Sequence, residues 1–164
     1  MIDYLTHTFI SLIRLSFHRF KTVKTGEGKT PAVGDRVVVD WEGYTIGYYG
    51  RPFQTRGKVK GGAFDSTEAE FFRWIVGNGG VVEALDRGVK NMKEGSVMQI
   101  IVPAELGYPS KGDEQHDIVG PKPTTFSGMR ALNFVLDNKN LIDKTLLINV
   151  RLVRVDKKGT FEKS

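Results

Sequence analysis

Apolar and polar positions alternate from Arg36 to Tyr44, with Val37, Val39 and Trp41 on one face and Val38, Asp40 and Glu42 on the other. That two-residue period predicts a half-buried strand. Phe71–Val76 reads as a second strand stopped at Gly77, and Ser96–Val102 as a third ended by Pro103. Thr145–Val155 reads as the last, with Leu146, Ile148, Val150 and Leu152 sharing a face. Between the second and third strands the period changes. Val82, Leu85, Val89 and Met92 recur at spacings of three and four, which predicts a short helix over Val82–Met92. Gly95 stands where a left-handed helix terminator is expected. Met129–Leu136 carries a weaker helix-like pattern, with Leu132, Val135 and Leu136 on one side. Several strands with a short helix between them predict an α+β domain.

Other segments lack this order. Gly43 to Gly62 is rich in glycine and holds Tyr44, Tyr48, Tyr49 and Phe53, with four basic residues, Arg51, Arg56, Lys58 and Lys60, and no acid. Such a loop can grip an anionic surface, but packing on its own domain as a compact surface loop is the favoured expectation. Ala104 to Lys144 is a second long connection. Lys24 to Pro31 is a glycine-rich loop whose Gly28-Lys29-Thr30 mimics the end of a phosphate-binding loop. The glycine such a loop requires five residues earlier is Val23, so that reading fails. At the N-terminus Ile2, Leu5, Phe9, Leu12, Ile13, Phe17 and Phe20 recur at helical spacing, with Asp3 the one acidic residue among them. Three readings of this stretch stay open: a targeting leader or a remnant of one, a membrane-surface helix, or a helix docked on the domain or a partner. Of these, leader remnant or partner contact is favoured over membrane anchoring, because two arginines give a weak electrostatic pull.

Composition removes several chemistries. The chain has 164 residues, no cysteine and three histidines, His7, His18 and His116. No disulfide, Cys-ligated zinc or thiol nucleophile can exist, and no HExxH or GxSxG pattern occurs. No apolar run is long enough for a membrane-spanning helix. The net charge is +5, and all of it lies in residues 1–60, which hold ten Lys/Arg against five Asp/Glu, while residues 61–164 hold fourteen of each. A diffuse excess of this size fits a solvated surface rather than a nucleic-acid groove. No cofactor, metal or nucleic-acid partner is expected.

A set of ordered motifs remains: Val38-Val39-x-Trp41-x-Gly43, Gly62-Ala63-Phe64-Asp65-Ser66, Val81 to Val89 after Gly77, Met92-Lys93-Glu94-Gly95, and Ile101-Val102-Pro103 leading to Gly107-Tyr108. Together these resemble the FK506-binding-protein family of peptidyl-prolyl cis/trans isomerases over about residues 20–155. The resemblance implies a bent antiparallel sheet wrapped on the single helix, with two loop insertions. It divides the chain into a leader or peripheral helix at 1–19, the isomerase domain at 20–156 and a tail at 157–164. It implies isomerisation of prolyl bonds in client proteins. Tyr108, Asp65 and Phe64 would be the catalytic group, with Tyr108 donating to a substrate carbonyl. Trp41, Phe72, Val81, Val82, Leu85 and Ile148 would bind substrate, the Val82 backbone N–H supplying another donor.

This chemistry suits the composition, since rotating a prolyl amide breaks no bond and needs no nucleophile or metal; an apolar pocket favouring the twisted amide is sufficient. The sequence departs from the family at Leu85, Trp41 and Ile148, where tryptophan, tyrosine and phenylalanine are usual, at Pro109, and at Glu68 and Glu70, where an arginine partner for Asp65 is often found. Those departures imply an altered pocket, weakened activity and weak macrolide binding. The alternative is a non-catalytic scaffold or assembly factor on the same fold. The two insertions resemble the plant chloroplast branch, which implies a chloroplast location, with the thylakoid lumen the finer expectation.

Overall fold

The sheet is built outward from a central antiparallel pair, β2 (Arg36–Thr45) and β6 (Leu146–Asp156). This computed structural model describes residues 20–55, 71–109, 119–139 and 143–161. β1 (Phe20–Lys24) pairs with β5 (Val97–Val102), and β5 pairs with β6. Beyond β2 the edge is shared. β4 (Phe72–Ile75) pairs with its first half, from Arg36 to Val39, and β3 (Arg51–Gln54) with its second, from Gly43 to Thr45. All pairings are antiparallel and give the order β1-β5-β6-β2-β3, with β4 beside β3 on β2.

The alternation seen along the chain becomes the buried face. Val37, Val39 and Trp41 on β2 join Met98, Ile100 and Val102 on β5 and Leu146, Ile148, Val150 and Leu152 on β6 in one apolar cluster. Helix α1 (Glu83–Val89) covers it with Ala84, Leu85 and Val89. Gly88 sits where α1 meets the sheet. A Cβ there would lie 2.7 Å from Ile100 Cδ1, so any larger residue would have to push that side chain aside.

α1 is shorter than the expected Val82–Met92. It stops at Val89, and Asn91 and Met92 continue in tighter turns, their N–H groups donating to Gly88 O and Val89 O. Met92 still faces the core. Gly95 does take a left-handed φ of 90°, but in the turn into β5, where its N–H donates to Leu152 O at 2.8 Å.

Both insertions carry regular structure. The first holds β3, whose Phe53 is buried against Trp41 with ring centroids 6.1 Å apart. The second holds α2 (Phe126–Leu136), longer at its start than Met129–Leu136 because Thr125 caps it, its Oγ1 accepting from the Gly128 N–H. The fold therefore has a second helix, packed on β3, with its Ala131 and Leu132 in the same apolar cluster as the sheet and α1. A Cβ on Gly128 would lie 2.1 Å from Phe53 O, so helix and strand backbones touch there. No helix among the described residues is long and apolar enough to cross a membrane.

Candidate functional site

The start of α1 is fixed by one carboxylate. Asp86 Oδ1 accepts from the Trp74 indole Nε1 at 3.1 Å and from the Gly77 N–H at 2.9 Å, while Oδ2 pairs with Lys90 at 2.8 Å. Burial pushes the Asp86 carboxyl up, but the hydrogen bonds from Lys90, Gly77 and Trp74 outweigh it and hold the pKa below the usual carboxylate range. β4, the turn after it and α1 are thereby tied together. Trp74 in turn stacks on Phe72, with ring centroids 5.4 Å apart.

This clamp presents the backbone of Gly80, Val81 and Val82 to a segment of the second insertion. Gly120 N–H donates to Gly80 O at 2.9 Å, and Val82 N–H donates to Gly120 O at 2.9 Å, a parallel bridge centred on Val81. The next carbonyl along, that of Pro121, accepts the Tyr108 hydroxyl. Phe72 closes the side: a Cβ built on Gly120 would lie 2.4 Å from its ring. The Gly120–Pro121 peptide is cis, and Gly120, Pro121 and Pro123 are all buried. Farther along, Thr124 donates through its N–H and its hydroxyl to Gln54 Oε1, at 2.9 and 3.2 Å, pinning the segment to β3.

Tyr108 enters this site from the chain just after a turn of 3-10 helix, Ala104–Leu106. It is 4% exposed, and burial pushes its phenol pKa well above the usual value, so the hydroxyl is a donor across the ordinary pH range.

Seven of the nine site residues expected from the sequence lie among the described residues. Tyr108, Val81, Val82 and Phe72 converge on Gly120 and Pro121. Trp41, Leu85 and Ile148 belong to the same apolar cluster and are fully enclosed, at 3%, 0% and 0% exposure. Phe64 and Asp65 lie outside the described residues, as do the 1–19 segment and the Glu68 and Glu70 positions. Sequence reasoning missed Trp74, Asp86, Phe53 and the Gly120–Pro121 segment as parts of this region. Trp74 had a signal: it shares the face of Phe72 two residues before it on a strand. Among the described residues no three His, Asp or Glu side chains gather as metal ligands. The arrangement can hold an Xaa-Pro pair by two hydrogen bonds to successive carbonyls against the Phe72 ring.

The FKBP-type peptidyl-prolyl cis-trans isomerase family profile matches residues 27–153. The chain is 50% identical over 137 residues to the chloroplastic peptidyl-prolyl cis-trans isomerase FKBP19 of Arabidopsis thaliana, an alignment covering 84% of this chain and 52% of that protein. It is 25% identical over 146 residues to chloroplastic FKBP17-1 of the same plant, covering 80% and 56%. The chain thus spans about half the length of the curated relatives it matches. The crystal structure of FkpA from Escherichia coli superposes with a TM-score of 0.52 at 23% identity, over 85% of this chain and 48% of that one, a likeness of fold. With the sheet and its central helix, the ordered motifs and the profile match in agreement, the chain belongs to the FKBP-type peptidyl-prolyl cis-trans isomerase family.

Proposed function

We propose that this protein is a peptidyl-prolyl cis/trans isomerase acting on prolyl segments of client proteins. One observation carries the reading: Val82 N–H and Tyr108 O–H donate to the two successive carbonyls of a Gly-Pro pair lying against Phe72. The barrier to prolyl rotation, about 18–20 kcal/mol, comes from amide resonance. A site that desolvates the amide and prefers the twisted form lowers it by about 1.4 kcal/mol for each tenfold in rate. In this reading Tyr108 and Val82 hold the client's carbonyls, and Phe72 and Val81 flank the prolyl bond. Trp41, Leu85 and Ile148 form the apolar floor. Phe64 and Asp65 enter by family resemblance alone, as a wall and an edge polar group. The working unit is residues 20–156, with 1–19 a leader or peripheral helix and 157–164 a tail.

A protease-coupled isomerisation assay on succinyl-Ala-Xaa-Pro-Phe-p-nitroanilide peptides tests this. Acceleration by folded protein at micromolar concentration supports it. Its absence leaves the non-catalytic scaffold, a reading favoured by the fact that both donors already have partners within the chain. Leucine at position 85 and isoleucine at 148 predict weak binding of FK506, read by competition in the same assay. The names of the two plant relatives support a chloroplast setting, and the resemblance of the two insertions to the plant chloroplast branch is the ground on which we propose the thylakoid lumen as the finer location. Fractionation of intact chloroplasts followed by immunodetection tests that location.

A further inference from the structure

The segment held at the prolyl site has the chemistry of a substrate. Gly120 lies beside Val81 in parallel register, gives its N–H to Gly80 O and takes the Val82 N–H on its carbonyl. Pro121 follows, its carbonyl on the Tyr108 hydroxyl. These contacts use both donors assigned above to a client, and they use them on a prolyl pair. Two chains cannot share one backbone N–H and one phenol hydroxyl in a buried site, so occupation by this segment and by a client exclude each other.

We infer that residues Val119–Pro121 are an internal ligand of the prolyl site, which a client segment must displace. The inference rests on the prolyl-site reading above. Its attachment is of the right kind for displacement. Among the described residues the segment joins no strand of the sheet: its one β-bridge is to Val81 in the turn before α1, and its tie to β3 comes later, through Thr124 and Gln54. The side toward Phe72 leaves no room for a side chain at position 120. If the site is open in a fraction of molecules, a client's apparent affinity falls by that fraction; one open molecule in about ten costs about tenfold. Occupancy then lowers activity toward short peptides in addition to the altered pocket residues Leu85, Trp41 and Ile148.

Gly120→Val tests this. A Cβ at 120 meets the Phe72 ring at 2.4 and 2.5 Å, so the branched side chain forces the segment off its seat. The probe is succinyl-Ala-Leu-Pro-Phe-p-nitroanilide, with binding followed by tryptophan emission and folding by circular dichroism. We expect the variant to bind about tenfold more tightly than the native chain, and its isomerase kcat/KM to rise. A second measurement uses the native protein alone. Saturating peptide should accelerate hydrogen exchange at the Gly120 amide, which loses Gly80 O, while the Val82 amide stays protected by the incoming carbonyl. Equal affinity of the folded variant and the native chain, with Gly120 exchange unchanged by bound peptide, overturns the internal ligand and leaves the isomerase reading standing. If neither folded protein binds the probe, the prolyl-site reading falls and this inference falls with it.

Discussion

Lys157 Nζ lies 2.8 Å from Asp35 Oδ2, joining residues 122 positions apart and tying the chain after β6 to the turn before β2. Asp35 also accepts from the Ala32 N–H at 2.9 Å and the Lys158 N–H at 3.0 Å, and its side chain is 6% exposed. The Lys157 hydrogen bond, opposed by burial and helped by the two backbone donors, lowers its pKa from 3.8 to about 2. A depressed carboxylate stabilises the fold above its unfolded pKa and stops doing so as pH falls through the folded one. Stability should therefore hold down to pH about 4 and drop between there and about 2. Asp35→Asn should flatten that drop in urea midpoints measured across the range; an unchanged pH profile refutes the assignment.

Asp86 joins β4 to α1 through Trp74 and Gly77. Asp86→Ala should cost about 1–3 kcal/mol, because it leaves a buried indole N–H unpaired. Asp86→Asn keeps an acceptor for both donors and loses mainly the Lys90 pair, about 0.3–0.5 kcal/mol for such a helix-surface pair. Urea unfolding followed by tryptophan emission measures both, and equal losses would show that the acceptor role is wrong.

Tyr108→Phe removes the partner of the Pro121 carbonyl. Pro121 is buried, so the expected cost is about 1–3 kcal/mol of stability. In the Gly120→Val background the carbonyl is already released, and the same change should weaken peptide binding instead, by about 0.5–1.5 kcal/mol. Thermal melts and peptide titrations on the single and double variants separate the two effects.

Leu85 occupies the position where the family usually has tryptophan, and it is 0% exposed. Restoring the indole with Leu85→Trp should not recover a stronger site. It overfills a closed core and should cost about 1–3 kcal/mol. A variant of native stability with raised isomerase activity would show that the floor has room.

The strands with a clean two-residue period were legible because each buries one face. Val37, Val39 and Trp41 on β2 and Leu146, Ile148, Val150 and Leu152 on β6 all reach the core. β3 was hidden by its length: Arg51–Gln54 is four residues with a proline inside, and its order comes from pairing with β2 and burying Phe53. The helix pattern of α1 overran its end because Met92 stays buried after the helical hydrogen bonds stop. The candidate site was legible as residue types at Tyr108, Phe72 and Val82. What holds their polar groups was not, since the partners, Gly120 and Pro121, stand 38 and 13 residues away in an insertion with no local signal.

The pairing of β2 with β6 sets the pace at which this sheet can assemble. Arg36 aligns with Asp156, and their side chains meet across 120 residues of chain. Sheets dominated by such distant partners fold in about milliseconds to seconds, because loop closure must precede any reward from contact. On a ribosome adding about 5–20 residues per second, β2 waits roughly 5–20 s for β6 to be synthesised. During that interval β2 can pair only with β3 and β4. Its other edge is open, and Val37, Val39 and Trp41 lack their β6 neighbours Val155, Leu152 and Val150, the kind of exposed edge on which nascent chains aggregate. A protein proposed to assist the folding of others thus passes through a stage at which it is itself a client.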